Sequence, residues 1–227
     1  MNKLSKKEFL DKLKTHKEFN SKFGRKPINQ IQNLIERLKT NPDCRRLIVS
    51  AWTVQDLPQM KLMPCHYGFQ VWTRELSYDE RNLIYKEKFG ETVEDMDSRW
   101  EINSTKTFVD DLNEANIPKR EISLIWNQRS VDTGLGLPFN IASYGLLLHM
   151  IAQQVNMVPG ELIGNLGDTH IYNNHVEPIK EQLKRDSIEC SPKLILNKAK
   201  DIFSYKFEDF TIEGYKAHPS IKMDIAV

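Results

Sequence analysis

The stretch GLPFNIASYGLLLHMIAQQV, residues 136–155, decides the fold of this chain. From Ile141 to Ala152 it is apolar on nearly every side, which is typical of a helix buried all round. Pro138 stands just before this run. His149 lies inside it, so we interpret His149 as a satisfied core histidine and not as a ligand. The stretch therefore predicts a long helix at the centre of the protein.

Shorter patterns surround this helix. Apolar residues at helical spacing predict two further helices, at 5–18 and 27–40. Four β-rich runs predict strands, at 45–52, 62–72, 121–128 and 192–197. An alternating run after residue 202 adds another strand and an extended tail. Together these elements predict an α+β fold, in which a mixed β-sheet packs on a long buried central helix.

The stretch 73–120 differs from the rest because it is dense in charged residues. It is expected to hold two amphipathic helices, the second with Phe108, Leu112 and Ala115 on one face. Since it lies between two predicted strands, we interpret it as a helical insertion within one domain that covers 1–227.

The composition excludes several classes of protein. The 227 residues include 32 basic and 31 acidic residues, a net charge of +1, which argues against a dedicated nucleic-acid surface or a polybasic membrane anchor. The N-terminus MNKLSKKEFLDKLK lacks the apolar core of a secretory signal. Three widely spaced cysteines do not suggest a disulfide framework, and no metal-binding spacing occurs. We expect a cytoplasmic protein with no membrane segment and no metal.

Cys65 lies between Pro64 and His66 at the head of a predicted strand. A thiol becomes a nucleophile when it is deprotonated. The alternative is that Cys65 is a small buried hydrophobe. Adjacent strand residues point to opposite faces, so His66 is not expected to be the base for Cys65.

Two stretches carry residues suited to an anion. Arg45 and Arg46 open one predicted strand, whereas Gln128, Arg129 and Ser130 close another. Guanidinium groups bind phosphate oxygens bidentately, and a serine hydroxyl adds a donor. The alternative is that these arginines only lie on the surface and form a salt bridge.

Asn140 and the stretch GDTHIYNNH, 167–175, offer polar groups for a nucleoside. The Asn140 amide presents an acceptor beside a donor, which matches the N3–H and O4 of uracil. Its alternative role is the N-cap of the central helix. Strand alternation places His170 and Tyr172 on one face, where they could bind sugar hydroxyls. The alternative for 167–175 is a polar loop.

Taken together, six stretches resemble the thymidylate synthase family. They are RRLIVSAW, MPCHYGFQ, QRSVD, GLPFNIASYGLLLHMIAQ, GDTHIYNNHVEPIKEQLKR and YKFEDFTIEGYKAHPSIK, in the order of the family. They cover most of residues 27–72 and 121–227. The resemblance implies methylation of dUMP to dTMP with 5,10-methylenetetrahydrofolate, in which Cys65 attacks C6 of the uracil. Such covalent attack divides a difficult carbon–carbon bond formation into easier steps.

The resemblance also implies roles for the other residues. Arg129 would lie near the thiol and the phosphate, and Arg45 and Arg46 would come from the partner subunit of a homodimer with shared sites. The remaining implied ligands are Gln128 and Ser130 at the nucleotide, Asn140 at the pyrimidine, His170 and Tyr172 at the sugar 3′-hydroxyl, and Asp132, Gly136 and Val227 at the folate.

The sequence departs from the family at three places. The N-terminal phosphate loop, catalytic glutamate and tryptophan pair of the family are not found, and 73–120 stands where a brief turn is usual. Thr133 and Gly134 replace bulkier residues, which suggests a loosened wall that admits water. These departures leave two alternatives: a dUMP hydroxymethyltransferase, in which water replaces hydride, and a non-catalytic nucleotide-binding fragment.

Overall fold

The computed structural model describes residues 28–93 and 107–225. The predicted helix at 5–18 and the predicted folate ligand Val227 lie outside these ranges. The described helices are α1 (Gln30–Thr40), α2 (Tyr78–Phe89), α3 (Phe108–Glu114), α4 (Gly136–Val155) and α5 (Val176–Gln182). The described strands are β1 (Ile48–Ser50), β2 (His66–Glu75), β3 (Arg120–Asp132), β4 (Val158–His170), β5 (Lys193–Leu196) and β6 (Phe210–Glu213).

The main sheet has the strand order β1-β2-β3-β4. β2 pairs antiparallel with both β1 and β3, whereas β3 and β4 are parallel. A parallel pair needs a crossover connection, and α4 supplies it between β3 and β4. β5 and β6 form a separate antiparallel pair. The sheet is therefore mixed, as the sequence predicts.

One face of this sheet packs on α1 and α4. Side chains from both helices and from β2 and β3 form a single buried cluster, and burial of such apolar surface is the main favourable term in folding. Its members include Leu34, Leu38, Phe69, Val71, Leu124, Trp126, Tyr144, Leu148 and Ile151. The prediction of an α+β fold with a mixed sheet on a central helix is confirmed.

The burial of α4 differs from the prediction, because one side of the helix packs on the sheet and another side is exposed. Tyr144, Leu148 and Ile151 are buried against the sheet, but Ile141 is 46% exposed. His149 is also on the exposed side, so its interpretation as a satisfied core histidine is wrong. Partial desolvation lowers its pKa. An apolar run predicts a helix that can be buried, but the number of layers around it is a tertiary property.

The stretch 73–120 contains the end of β2, both α2 and α3, and the first residue of β3. Each of these helices begins with a capping box, at Ser77 and at Thr107. Where it is described, this region has its own small core of Tyr85, Val93, Leu112 and Ile117. Ion pairs tie it to the sheet, because the Arg74 guanidinium contacts both Glu80 and Glu121. In the described ranges, no helix has the length and apolarity required to cross a bilayer.

Candidate active site

Strand pairing brings three strand ends to one edge of the sheet. His66, which begins β2, pairs with Gln128, and Asp132, which ends β3, pairs with His170 at the end of β4. The Arg129 N–H donates to the Cys65 carbonyl at 2.8 Å, which extends this pairing to the thiol residue. This edge holds most of the predicted site: Cys65, Gln128, Arg129, Ser130, Asp132, Gly136, Asn140, His170 and Tyr172.

The Arg129 side chain fixes the segment that precedes Cys65. Its Nε donates to the Pro64 carbonyl at 2.9 Å, and its Nη2 donates to the Met63 carbonyl at 3.0 Å. A guanidinium has five N–H donors, so about three have no partner among the described residues and suit an anion. Cys65 is a half-buried free thiol in this segment. The arrangement places a permanent positive charge beside the chain that carries the thiol.

His66 is turned towards the helix. Its Nδ1 lies 3.0 Å from the Tyr144 hydroxyl, and the two rings meet edge to face with centroids 5.6 Å apart. Burial raises the pKa of Tyr144, so its hydroxyl keeps its proton at neutral pH. His66 also lines a cavity of about 360 Å³ between the β1–β2 pair and α4, together with Asn140 and Tyr144.

Asn140 is held by a buried glutamine. The Gln128 Nε2 donates to the Asn140 Oδ1 at 3.1 Å and to the Ser130 carbonyl at 3.0 Å. The Gln128 Oε1 accepts from the Trp126 Nε1 at 3.2 Å. Sequence reasoning missed Trp126, although it lies two residues before Gln128 on the same strand, a spacing that places both on one face.

The N-terminus of α4 is capped by Asp132 and not by Asn140. The Asp132 carboxylate accepts the N–H groups of Gly134, Leu135 and Gly136, at 3.2 to 3.3 Å. Asn140 lies one turn inside the helix, because α4 begins at Gly136. The alternative of Asn140 as N-cap is therefore wrong, and its amide does not cap the helix.

His170 and Tyr172 are in contact, with ring centroids 4.9 Å apart in an edge-to-face arrangement. Behind them lies His175, which is fully buried. The His175 Nε2 lies 2.8 Å from the Asp224 carbonyl, so this nitrogen carries a proton. The His175 Nδ1 has no hydrogen-bond partner among the described residues and lies 3.6 Å from the Asp132 Oδ1. His175 thus links the C-terminal segment to the cap of α4.

The wall at Gly134 is tightly packed, contrary to the expectation of a loosened wall. A Cβ atom at this position would lie 3.2 Å from Ile179 Cδ1 and 3.3 Å from both His175 Nδ1 and Met223 Sδ. The space that a larger residue would occupy is filled by side chains from α5 and the C-terminal segment. Glycine here therefore opens no path for water.

Arg45 and Arg46 are not part of this edge. They are exposed and precede β1. The Val71 N–H donates to the Leu47 carbonyl, so both arginines lie at least six residues of β2 away from Cys65. That separation is about 20 Å along the strand. Within one chain the structure does not bring Arg45 or Arg46 to Cys65.

The surroundings of Cys44 favour its thiolate. The Arg46 backbone N–H and the Arg37 guanidinium, whose Nη1 is 3.8 Å from the sulfur, lower the pKa of the Cys44 thiol. Without nucleotide we expect iodoacetamide to modify Cys44 readily at pH 7, and Arg37→Gln to slow this modification several-fold. At pH 10 the modification rates of the unmodified chain and of Arg37→Gln should converge, because the Cys44 thiol is then ionised in both. Peptide mass spectrometry measures the rates, and equal rates at pH 7 would contradict the assignment.

Comparison with known proteins agrees with this geometry. A family model described as thymidylate synthase matches residues 9–227. The chain belongs to the thymidylate synthase family. It is 39% identical to a thymidylate synthase of Homo sapiens over 212 residues, which cover 93% of this chain and 54% of that protein. It is 40% identical to a thymidylate synthase of Corynebacterium aurimucosum over 200 residues, 88% of this chain and 58% of that protein. The chain thus spans about half the length of the curated relatives it matches.

Proposed function

We propose that this chain carries the site that methylates dUMP to dTMP. The observation that carries the proposal is the shared sheet edge, where the free thiol of Cys65 lies beside Arg129 and close in strand register to Gln128. Gln128 in turn holds Asn140, the predicted reader of the pyrimidine. A nucleophile, a cation and a base-reading amide are thus held by contacts within one chain.

In the proposed reaction the Cys65 thiolate adds to C6 of the uracil, and the electron pair of the C5–C6 bond becomes available at C5. The Asn140 amide donates to O4, where negative charge develops, and accepts from N3–H. 5,10-Methylenetetrahydrofolate supplies the one-carbon unit and then the hydride. C5 bonds to the methylene carbon and loses its proton to solvent, and the bond from that carbon to the folate nitrogen breaks. Hydride from the resulting tetrahydrofolate then adds to the exocyclic methylene as the Cys65 thiolate leaves C6 and the C5–C6 double bond re-forms. The products are dTMP and dihydrofolate.

The rest of the nucleotide has suitable partners at the same edge. The free N–H groups of Arg129 and the hydroxyl of Ser130 suit the phosphate oxygens. The contacting rings of His170 and Tyr172 offer an imidazole and a phenol to the sugar 3′-hydroxyl. These are the roles that membership of the family implies for these four residues.

The residues at the start of α4 fit a folate ring. A carboxylate has about four acceptor positions, and the backbone N–H groups of residues 134–136 occupy three of those of Asp132. One position remains for a ring N–H. Gly136 leaves the space between Asp132 and Asn140 free of a side chain, since a Cβ there would lie 3.8 Å from Asp132 Oδ2 and from Asn140 Oδ1. Val227 is the third proposed folate contact.

The open face of the sheet supports a homodimer. Strand register places Ile48, Gln70, Ile125 and Ile163 in one row across all four strands. This row lies on the face opposite Phe69 and Trp126, which face the helices. Ile48 is 60% and Ile163 is 38% exposed. A row with three exposed or half-buried isoleucines suits a symmetric interface, in which the partner would bring its Arg45 and Arg46 to this chain's phosphate site.

A shared site predicts recovery of activity on mixing. Arg46→Ala removes a phosphate contact that each subunit gives to its partner, and Cys65→Ala removes the nucleophile from its own site. A hybrid dimer keeps one intact site, so mixing the two inactive variants should restore up to about a quarter of wild-type activity, because half of the dimers are hybrids. Each variant mixed with itself is the control. Two folded variants that exchange subunits without any recovery would contradict shared sites.

Product analysis tests the proposed function. The chain is incubated with dUMP and 5,10-methylenetetrahydrofolate, and the products are identified by mass spectrometry. We expect dTMP and dihydrofolate. Tetrahydrofolate with 5-hydroxymethyl-dUMP would instead indicate the hydroxymethyltransferase, which the tight packing at Gly134 does not favour. Binding of dUMP without turnover would indicate a nucleotide-binding fragment.

A further inference from the structure

The indole of Trp126 occupies a fixed place behind the candidate pyrimidine site. It is buried and stacks on Tyr144, with ring centroids 5.4 Å apart and planes within 12°. A Cβ at Gly164 would lie only 2.6 Å from two carbons of the indole six-membered ring, Cζ2 and Cη2, so glycine is needed there to admit the ring. The stacked ring and the glycine leave the indole N–H one direction, towards the Gln128 Oε1 at 3.2 Å.

Gln128 is therefore fixed from both ends. An indole N–H is a donor only, so it must meet the oxygen of the Gln128 amide. A backbone carbonyl is an acceptor only, so the Ser130 carbonyl must meet the nitrogen. A flipped Gln128 amide would set N–H against N–H and oxygen against oxygen in a buried position, which is costly.

Asn140 takes its orientation from Gln128. Because the Gln128 Nε2 donates to Asn140, the amide oxygen of Asn140 faces Gln128 and its amide nitrogen lies on the other side. If Asn140 flipped, its own N–H would face the N–H of Gln128. The direction of one indole N–H is thus transmitted through two amides to the side chain that is proposed to read the base.

We infer that Trp126 is a positioning residue that sets the preference for uracil over cytosine. The inference rests on the proposed function and names a determinant of its substrate class. Uracil offers N3–H and O4, whereas cytosine offers the N3 acceptor and the N4 amino group. Only a flipped Asn140 amide would match cytosine. Trp126 and the Ser130 carbonyl are the two contacts that oppose this flip, and Trp126 is the one that a side-chain substitution removes.

Trp126→Phe tests this inference. Phenylalanine retains an aromatic ring on Tyr144 but lacks the N–H. Dissociation constants for dUMP and dCMP, measured by titration calorimetry on the full chain, give the discrimination ratio. We expect the ratio to fall about tenfold, since one buried hydrogen bond that opposes the flip is lost. Trp72→Phe, which removes the N–H of a tryptophan outside this relay, is the matched control and should leave the ratio unchanged.

A double-mutant cycle separates positioning from general weakening. The carboxylate of Asn140→Asp has two equivalent oxygens, so a flip of this side chain would change nothing and Trp126 would have no orientation to fix. In the Asn140→Asp background, Trp126→Phe should change the ratio by less than about twofold, well below the change expected with Asn140 present. A purely structural role of Trp126 would instead weaken binding of both nucleotides equally in both backgrounds.

A second variant covers the case in which Trp126→Phe does not fold. Gly164→Ala retains the indole but displaces it from Gln128. We expect it to lower the discrimination ratio between dUMP and dCMP, as Trp126→Phe does. If the wild-type chain prefers dUMP and the discrimination ratio is unchanged in either folded variant, the role of Trp126 is overturned but the proposed function is not. A wild-type chain that binds neither nucleotide would overturn the proposed function and this inference with it.

Discussion

Replacing Cys65 by alanine should reduce dTMP formation by at least about 10⁴-fold, because removal of a covalent nucleophile typically has effects of this size. The loss should appear in turnover and not in folding, since Cys65 is only half-buried and forms no disulfide. The measurement is the rate of dihydrofolate formation by absorbance, with dUMP binding recorded in parallel.

Cys44→Ala and Cys190→Ala are the matched controls and should retain activity within about twofold, as expected for substitutions away from the reacting atoms. The comparison is informative because the Arg46 backbone N–H and the Arg37 guanidinium lower the pKa of the Cys44 thiol in the free chain. If activity depended on Cys44 and survived Cys65→Ala, the candidate site would be wrong.

Replacing Asn140 by aspartate should remove most turnover of dUMP and create turnover of dCMP. The aspartate loses the donor to O4 and supplies an acceptor for the N4 amino group of cytosine. The Gln128 Nε2 can still donate to a carboxylate at this position, so the side chain is expected to remain in place. Sites built on hydrogen bonds reject a mismatched ligand by as much as ~10⁴-fold, because buried polar groups are left unpaired.

Tritium release from C5-labelled dUMP and dCMP measures both preferences, with the unmodified chain as the reference. We expect the unmodified chain to release tritium from dUMP almost exclusively. If it prefers dCMP, or if Asn140→Asp leaves the preference unchanged, Asn140 does not read the base and the pyrimidine site lies elsewhere.

Much of the fold was predictable because its signals are local, although β4 was not predicted. The apolar run that forms α4 and the β-rich runs that form β2 and β3 each carry their own periodicity. The one-sided burial of α4 was not predictable, since Ile141 is as apolar as Ile151 and only the position of the sheet distinguishes them. His149 was misinterpreted for the same reason. The apolar character of a residue indicates that it can be buried. Whether it is buried depends on how the helices and the sheet are arranged.

The candidate site was predictable as a set of residues but not as a network. Strand alternation places Trp126 and Gln128 on one face, so their contact could have been found from the sequence. The cap of α4 by Asp132 depends on the backbone turn between them, which the sequence does not specify. The packing at Gly134 depends on Met223, a contact between distant parts of the chain. Judged from the sequence alone, that glycine suggests a gap.

The central claim is that Cys65 forms a covalent bond to C6 of the pyrimidine. 5-Fluoro-dUMP with 5,10-methylenetetrahydrofolate tests it most directly, because fluorine at C5 cannot leave as a proton and the reaction stops at the adduct. Denaturing mass spectrometry followed by peptide mapping locates the adduct. We predict one adduct, on the peptide that contains Cys65, and none in the Cys65→Ala variant. An adduct on Cys44 or Cys190, or one that survives Cys65→Ala, would contradict the account.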